Sequence, residues 1–209
     1  MKITALPLLA LLFLISSCTK NYDVPASTSV VAKGNGSNAY LPLSVGDTWN
    51  YYPTWATTVT AKTAANVYTI NENYSVSNVW LDSIGDYVMQ STTTSPVGCA
   101  GVSVSLYAPR PYLYIPATPT AGQTWTDTVA NGILLSAKVI STNATIATSI
   151  YGYTGCLEVS YLYTYNVGTE SGSVTLLKYF SKGVGVVYTT TTINDYSPTY
   201  YNLNNFIVN

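Results

Sequence analysis

The 209-residue chain contains no histidine. It therefore cannot build a Ser-His-Asp triad, a Cys-His pair or a His-ligated zinc or iron site from its own side chains. It also has no Cys-x-x-Cys pair, which excludes a thioredoxin-like redox site. We therefore expect no metal, no cofactor and no enzymatic activity.

Charge is also scarce. Charged residues make up 8% of the chain, against roughly 25% in ordinary soluble domains. Loss of Lys2 with a signal peptide would leave seven of the eight basic residues against nine acidic ones, a formal charge of −2. Such a chain offers no basic surface to nucleic acid, so we expect no nucleic-acid partner.

A carboxylate-pair glycosidase is the main enzyme class that survives these absences, because it needs only two Asp or Glu side chains about 5 to 9.5 Å apart. Asp82 and Asp86 bound a Gly-containing turn, and Asp195 follows Asn194, contexts in which Asp commonly bonds its own backbone. Turn formation is therefore favoured over catalysis. The candidates are Glu72, Asp82, Asp86, Asp127, Glu158, Glu170 and Asp195.

The N-terminus is typical of a secretory signal peptide, with Lys2 followed by an unbroken apolar run over Ala5–Ile15. As a helix this run would rise only about 16 Å, too little to cross roughly 30 Å of bilayer hydrocarbon. The run ends in Ile15-Ser16-Ser17-Cys18, which resembles a bacterial lipobox. The resemblance implies cleavage after Ser17 and acylation of Cys18, with two or three chains, palmitate among them, forming a stable membrane anchor.

Ordinary signal cleavage near Ser17 is the alternative. The residue after Cys18 is Thr19 and not an aspartate, which favours sorting of the lipoprotein to the outer membrane. Whether the domain then faces the periplasm or the cell surface is undecided. Residues 18–39 lack apolar periodicity and contain Pro25 and a Gly-Asn-Gly run, so we predict a lipidated cysteine and a disordered tether. About 20 such residues span about 25 Å.

Residues 40–209 are predicted to form one all-β domain. Short runs rich in Val, Ile, Thr and Tyr alternate with turn residues, and no segment has helical periodicity. Short connections favour antiparallel pairing, in a sandwich or a curled half-barrel. We predict strands at Thr48–Tyr52, Asn66–Asn71, Tyr74–Leu81, Tyr87–Thr92, Ser103–Tyr107, Thr124–Val129, Leu134–Ser141, Cys156–Tyr165, Ser173–Phe180, Val186–Thr192 and Tyr200–Val208.

The best-formed strand places alternate residues from Leu157 to Tyr165 on one face, which should look inward. A short repeat is also visible: Tyr40-Leu41-Pro42 precedes Gly46-Asp47-Thr48-Trp49, and Tyr114-Ile115-Pro116 precedes Gly122-Gln123-Thr124-Trp125. Either a duplicated half or one strand-initiating turn used twice would explain it. The second is favoured, since the similarity fades beyond the tryptophans.

Once Cys18 is acylated, Cys99 and Cys156 are the only remaining cysteines. Export places them where a disulfide can form. Closing that loop would remove roughly 4 kcal/mol of unfolded-chain entropy. Two separate buried thiols are the alternative, because a disulfide requires the two Cα atoms to lie within about 7 Å, a distance that the sequence does not show.

Large aromatics are the remaining candidates for binding. Their flat faces and polar edges suit sugars and interfaces, although core packing is the favoured explanation. Adjacent tyrosines in a strand must point to opposite faces. The candidates are Trp49, Tyr51, Tyr52, Trp55, Trp80, Trp125, Tyr200 and Tyr201.

Three segments resemble a group of Bacteroidetes-like lipoproteins of unknown function. They are Tyr40–Trp49, with its Y-x-P-L-x-x-G-x-x-W pattern, Gly152–Val159, and Tyr179–Val187, with its G-V-G-x-V pattern. The resemblance implies an exported β domain and supplies no activity.

We therefore expect a membrane-anchored, non-enzymatic envelope protein that is structural or binds glycan or another envelope protein. A lipid or lipoprotein carrier is the alternative, and it requires an apolar half-barrel cavity of several hundred Å³.

Overall fold

The structure is a computed structural model, and it describes residues 38–63, 65–73, 75–99, 102–148, 150–194 and 196–209. For 95–99, 102, 103 and 105 only the backbone is described. The predicted signal peptide, Cys18 and nearly all of the predicted tether lie outside these residues. Those three predictions stay predictions.

Fourteen strands fill the described residues, and the first seven precede residue 107. They are β1 (Thr48–Tyr52), β2 (Trp55–Lys62), β3 (Tyr68–Glu72), β4 (Ser75–Leu81), β5 (Tyr87–Ser91), β6 (Ser95–Cys99) and β7 (Val102–Leu106). The others are β8 (Tyr112–Ile115), β9 (Thr124–Ala130), β10 (Ile133–Ala147), β11 (Gly152–Val167), β12 (Glu170–Ser181), β13 (Gly185–Ile193) and β14 (Thr199–Ile207).

Twelve of these strands form one antiparallel sheet in the order β8-β5-β4-β3-β2-β1-β14-β13-β12-β11-β10-β9. The sheet curls until its two edge strands, β8 and β9, come into contact, so it is a nearly closed barrel. The remaining two strands, β6 and β7, form a separate hairpin between β5 and β8. The all-β prediction is confirmed, and of the two predicted architectures the curled sheet is the one found.

The seam between β8 and β9 is held largely by side chains. The indole of Trp125 donates a 2.8 Å hydrogen bond to the carbonyl of Leu113, and the amide of Leu113 donates to Asp127 Oδ2 at 3.1 Å. A single backbone bond, from Arg110 to Val129 at 3.2 Å, flanks them. Because these side chains occupy the positions of a strand ladder, they cover the edges that an open sheet would expose.

The strand predicted to alternate does so. Leu157, Val159, Tyr161 and Tyr163 are buried inside the barrel, while Leu162 is exposed on its outer face. This period of two fixes which face of β11 enters the interior. The prediction is confirmed, with the strand extending beyond both of its predicted ends.

The repeated motif is one turn used twice. Gly46 donates to the carbonyl of Val59 and Gly122 to that of Val139, each at 2.9 Å, and both glycines have positive φ, +97° and +85°. In each turn the side chain of the residue after the glycine accepts a hydrogen bond from a backbone amide. Asp47 Oδ2 accepts from Ser44 at 2.8 Å, and Gln123 Oε1 accepts from Thr120 at 3.1 Å. These equivalent bonds favour a shared strand-initiating turn over a duplicated half.

Three strands were absent from the prediction: β2, β6 and β8. The sequence of β2 is rich in Ala and Thr, β6 contains Pro96 and Gly98, and β8 lies between Pro111 and Pro116. Such local signals indicate turns. Pairing with neighbouring strands outweighs them, since β2 lies between β1 and β3 and β8 pairs with β5.

Candidate functional site: the barrel interior

Two adjoining cavities lie inside the barrel. The first has a volume of about 130 Å³ and the second of about 80 Å³, and five residues line both: Glu72, Met89, Tyr114, Leu176 and Lys178. For scale, an engineered apolar cavity of about 150 Å³ holds one benzene. The interior therefore has room for a small organic molecule.

Apolar and aromatic side chains form the walls of the first cavity. Trp49 and Tyr51 are the inward residues of β1, and each is anchored past β14 to the start of β13. The Trp49 indole donates to the carbonyl of Val184, and the Tyr51 hydroxyl donates to that of Val186 at 2.9 Å. Trp55 contacts Tyr201 with ring centroids 5.5 Å apart. The other lining residues not yet named are Leu41, Thr57, Ile70, Thr189 and Thr191.

Hydroxyl groups are more frequent around the second cavity. Ser75 and Ser77 come from β4 and Ser91 from β5, and Tyr112 and Tyr163 face them from β8 and β11. The Tyr163 hydroxyl donates to that of Tyr112 over 3.4 Å, a long and weak bond. This cavity therefore has a larger share of hydroxyl groups than the first, whose hydroxyls include those of Thr57, Thr189 and Thr191.

Lys178, Tyr114 and Glu72 lie where the two cavities meet. The Lys178 ammonium donates a 3.0 Å hydrogen bond to the Tyr114 hydroxyl and lies 5.3 Å from the centroid of the same ring. The Glu72 carboxylate also lines both cavities. In the described part of the chain it accepts no hydrogen bond and makes no ion pair within 4 Å.

These charges act on the ionisation of their neighbours. Burial alone would lower the pKa of Lys178, but Tyr114, Glu72 and Tyr163 together hold that pKa above its ordinary value. Burial raises the pKa of the Tyr114 hydroxyl, with Lys178 opposing the shift. Lys178 therefore remains protonated at pH 7.

Each end of the interior is covered by a different segment. At one end the residues before β1 cross the barrel, with the Gly183 amide bonded to the Ala39 carbonyl at 2.9 Å and Leu41 buried against the core. At the other end the β6–β7 hairpin contacts both β4 and β13. Leu106, the last residue of β7, lines the second cavity.

The predicted binding aromatics divide into two groups. Trp49, Tyr51, Trp55 and Tyr201 line the first cavity. The other four lie elsewhere: Tyr52 is exposed on the outer face, Trp80 and Tyr200 are half-buried there, and Trp125 packs edge-on against Tyr161 at the seam. The adjacent tyrosines thus point to opposite faces, as predicted.

Sequence reasoning missed Lys178 and Tyr114, and it considered Glu72 only as a catalytic carboxylate. A signal for Lys178 was present, because Val174, Leu176, Lys178 and Phe180 alternate along one face of β12, and a lysine in such an inward series is unusual. The positions of Glu72 and Tyr114 depend on where β3 and β8 lie in the curled sheet. That curvature has no local signature in the sequence.

Three of the other candidate carboxylates accept hydrogen bonds within the fold. Asp82 Oδ1 accepts from the amides of Ile84 and Asp86, Asp86 Oδ1 accepts from Ala117 at 2.6 Å, and Glu158 accepts from the Tyr179 hydroxyl at 2.8 Å. Glu170 lies exposed at the start of β12, and Asp195 is outside the described residues. Among the described carboxylates only Glu72 lines either cavity.

The Cys156 side chain is buried, and burial raises the pKa of its thiol to about 11. The side chain of Cys99 lies outside the described part, so the disulfide between them stays a prediction. Over the described residues, no three His, Cys, Asp or Glu side chains come together as a metal site would require. Nor does this part of the chain contain a helix that is long and apolar enough to cross a membrane.

Comparison with known proteins gives only distant similarity. No family model and no curated protein matches the chain. One similar solved structure is that of a Bacteroides fragilis NCTC 9343 protein described as an exported protein with a YmcC-like fold. The two sequences are 12% identical and the TM-score is 0.41, and the match covers 80% of this chain and 98% of that one. Another is that of a Parabacteroides distasonis ATCC 8503 protein described as a lipoprotein. It is 12% identical with a TM-score of 0.38, and the match covers 82% of this chain and 99% of that one.

Proposed function

We propose that this protein is an acylated lipoprotein of the cell envelope whose barrel binds a small amphipathic ligand in its interior without transforming it. The observation that carries the proposal is the pair of adjoining cavities, with aromatic walls on one side, hydroxyl groups on the other and two charged side chains between them. Binding sites are typically concave, mostly apolar and furnished with a few convergent polar groups.

The carboxylates that the structure places around the cavities support binding over turnover. Glycoside hydrolysis needs two carboxylates in one cleft, and Glu72 is the only described carboxylate that lines the cavities. The cavity volumes also favour a small ligand over a lipid. A carrier of acyl chains would require several hundred Å³.

Cavity occupancy can be tested with toluene, phenol and benzyl alcohol as probes. We would use the whole chain from residue 18 onward with Cys18→Ala and measure the rise in the melting temperature with each probe. Binding to the folded state raises this temperature in proportion to ln(1 + [L]/Kd). No rise with any probe at millimolar concentration would contradict interior binding.

A matched pair of variants locates the bound probe. Leu176 lines both cavities, whereas Leu177 is half-buried on the outer face of the same strand. Leu176→Trp should fill the interior and abolish the probe-induced rise, and Leu177→Trp should retain it. Equal responses of the two variants would place the probe elsewhere.

Anchoring is tested separately by metabolic labelling with radioactive palmitate. The intact precursor should incorporate label and sediment with outer-membrane markers, and Cys18→Ala should not be labelled. An unlabelled intact chain would indicate ordinary signal cleavage instead. Protease treatment of whole cells would then report which face of the membrane carries the domain.

A row of tyrosines on the outer face favours glycan as a second candidate ligand. Tyr179, Tyr188 and Tyr200 come from three neighbouring strands, with ring centroids 5.6 and 6.3 Å apart, and Glu158 accepts from Tyr179. Aromatic faces with a polar edge suit sugar rings. Affinity electrophoresis in gels containing a β-glucan, a galactomannan or a pectin should show retardation that Tyr188→Ala removes; no retardation in any gel would reject this candidate.

A further inference from the structure

The charged groups inside the barrel have capacity for further contacts. A lysine ammonium can donate three hydrogen bonds, and Lys178 makes one described bond, to Tyr114. The Glu72 carboxylate can accept several, and in the described residues it accepts none. Buried or half-buried charges normally have partners, because burial removes the water that would otherwise solvate them.

The two charges also lie close enough to interact without touching. Glu72 contributes to the raised pKa values of Lys178, Tyr51 and Tyr114, so its charge is felt across the first cavity. No ion pair within 4 Å joins Lys178 and Glu72 among the described contacts. A gap therefore separates a cation from an anion, and both line the same two cavities.

This arrangement discriminates between ligand headgroups. An anion would be attracted by Lys178 and repelled by Glu72, and a cation would experience the reverse. A headgroup that carries both charges can satisfy both side chains at once with charge-assisted hydrogen bonds. A wholly apolar ligand would leave both charges without further partners.

We propose that the ligand of the barrel interior is a small zwitterion bearing an apolar side group, of the class of an apolar or aromatic amino acid. Its carboxylate lies against Lys178 and its ammonium against Glu72. Its apolar group occupies the first cavity among Trp49, Tyr51 and Ile70. This inference rests on the proposed function and adds the chemical class of the ligand.

Four probes with the same phenyl group test the headgroup directly. They are phenylalanine, phenylacetate, phenethylamine and toluene, titrated calorimetrically into the chain from residue 18 onward with Cys18→Ala. Phenylalanine should bind at least about tenfold more tightly than each of the others, because one charge-assisted bond accounts for about that factor.

Two variants assign the two charges. Lys178→Met should weaken the binding of phenylalanine about tenfold and leave phenethylamine as the tightest-binding charged probe. Glu72→Gln should weaken the binding of phenylalanine by a similar factor and make phenylacetate the tightest-binding charged probe. Melting temperatures confirm that both variants fold, and if Lys178→Met does not fold, Glu72→Gln alone still distinguishes the headgroups.

The outcomes separate this inference from the proposed function. Tightest binding of phenylalanine, with opposite charge preferences in the two variants, supports both. Binding of toluene as tight as that of phenylalanine, or equal responses to all headgroups, overturns the zwitterion and leaves interior binding standing. Failure of all four probes to bind at millimolar concentration overturns both.

Discussion

The Lys178 ammonium and the Tyr114 hydroxyl are joined by a 3.0 Å hydrogen bond inside the barrel, between strands β12 and β8. Three strands, β11, β10 and β9, separate β12 from β8 across the seam, and seven strands separate them the other way round the sheet. The bond therefore crosses the interior, and so links the edge strand β8 to the opposite wall. It also gives the half-buried cation its one described partner.

Removing the Tyr114 hydroxyl should lower the free energy of unfolding, because the Lys178 ammonium then lacks a hydrogen-bond partner. Tyr114→Phe keeps the ring but leaves Lys178 without its hydrogen-bond partner, so we expect a loss of about 1 to 3 kcal/mol in unfolding free energy. Tyr112→Phe is the matched control, because Tyr112 lies on the same strand, is similarly buried and makes only the 3.4 Å bond. Urea denaturation measures both, and equal losses would show that the Lys178 contact contributes little.

Alkaline pH should destabilise the barrel. Burial raises the pKa values of Tyr51, Tyr112 and Tyr161 well above the ordinary value. The unfolded chain releases these protons near pH 10 while the folded chain retains them, so the unfolded state binds fewer protons and stability falls as pH rises through about 10. This loss is absent below about pH 9.

Two measurements check this pH dependence. The urea midpoint should be level from pH 7 to 9 and then fall. Absorbance at 295 nm should show that part of the tyrosines ionise only when the chain unfolds. Smooth titration of all tyrosines in the folded protein would contradict the burial of these hydroxyls.

The sequence predicted those features that depend on local alternation and on turn residues. The inward face of β11 followed from the period of two, and the turn at Gly46 recurs at Gly122 because both sequences place Gly before Asp or Gln. Barrel closure did not follow from such patterns. It depends on Leu113 meeting Trp125 and Asp127, a contact between strands at opposite edges of the sheet.

The candidate site was only half predictable for the same reason. Trp49 and Tyr51 were among the candidate binding aromatics, although core packing was the favoured explanation for them, and both line the first cavity. Glu72 was considered only as a catalytic carboxylate, and Lys178 was not considered. Their importance comes from facing each other across the curled sheet, which neither local sequence encodes.

Cys156 should be unreactive in the folded protein. Its thiol is buried, and the burial that raises its pKa to about 11 leaves little reactive thiolate at pH 8. Iodoacetamide at pH 8 should therefore modify it only after unfolding in urea, as peptide mass spectrometry would show. Modification that requires a reductant as well as urea would instead demonstrate the predicted disulfide with Cys99.

Gly185 should not tolerate a side chain. Its φ is +105°, and an added Cβ would lie 2.9 Å from Trp49 Nε1. Gly185→Ala should therefore combine backbone strain with overpacking of about 1 to 3 kcal/mol. Gly46→Ala is the control, since its φ of +97° is similar and its nearest neighbour is Asn209 Nδ2 at 3.6 Å. Equal losses in urea denaturation would show that the Trp49 contact relaxes without cost.

The β8–β9 seam should open when Asp127 is removed. Asp127→Ala takes away the acceptor of the Leu113 amide, and a hydrogen bond to a charged group contributes about 1.5 to 3 kcal/mol, with the lower end expected for this half-buried carboxylate. Hydrogen exchange of β8 and β9 should accelerate more than that of β11, which lies away from the edges. Thr126 is an exposed neighbour on the same strand, so Thr126→Ala should change neither stability nor exchange. Asp127→Asn should retain much of the protection from exchange, because the amide carbonyl can still accept the hydrogen bond from Leu113. Uniform acceleration throughout the sheet would mean that the seam opens only with global unfolding, so that these side chains add stability without holding the edges together locally.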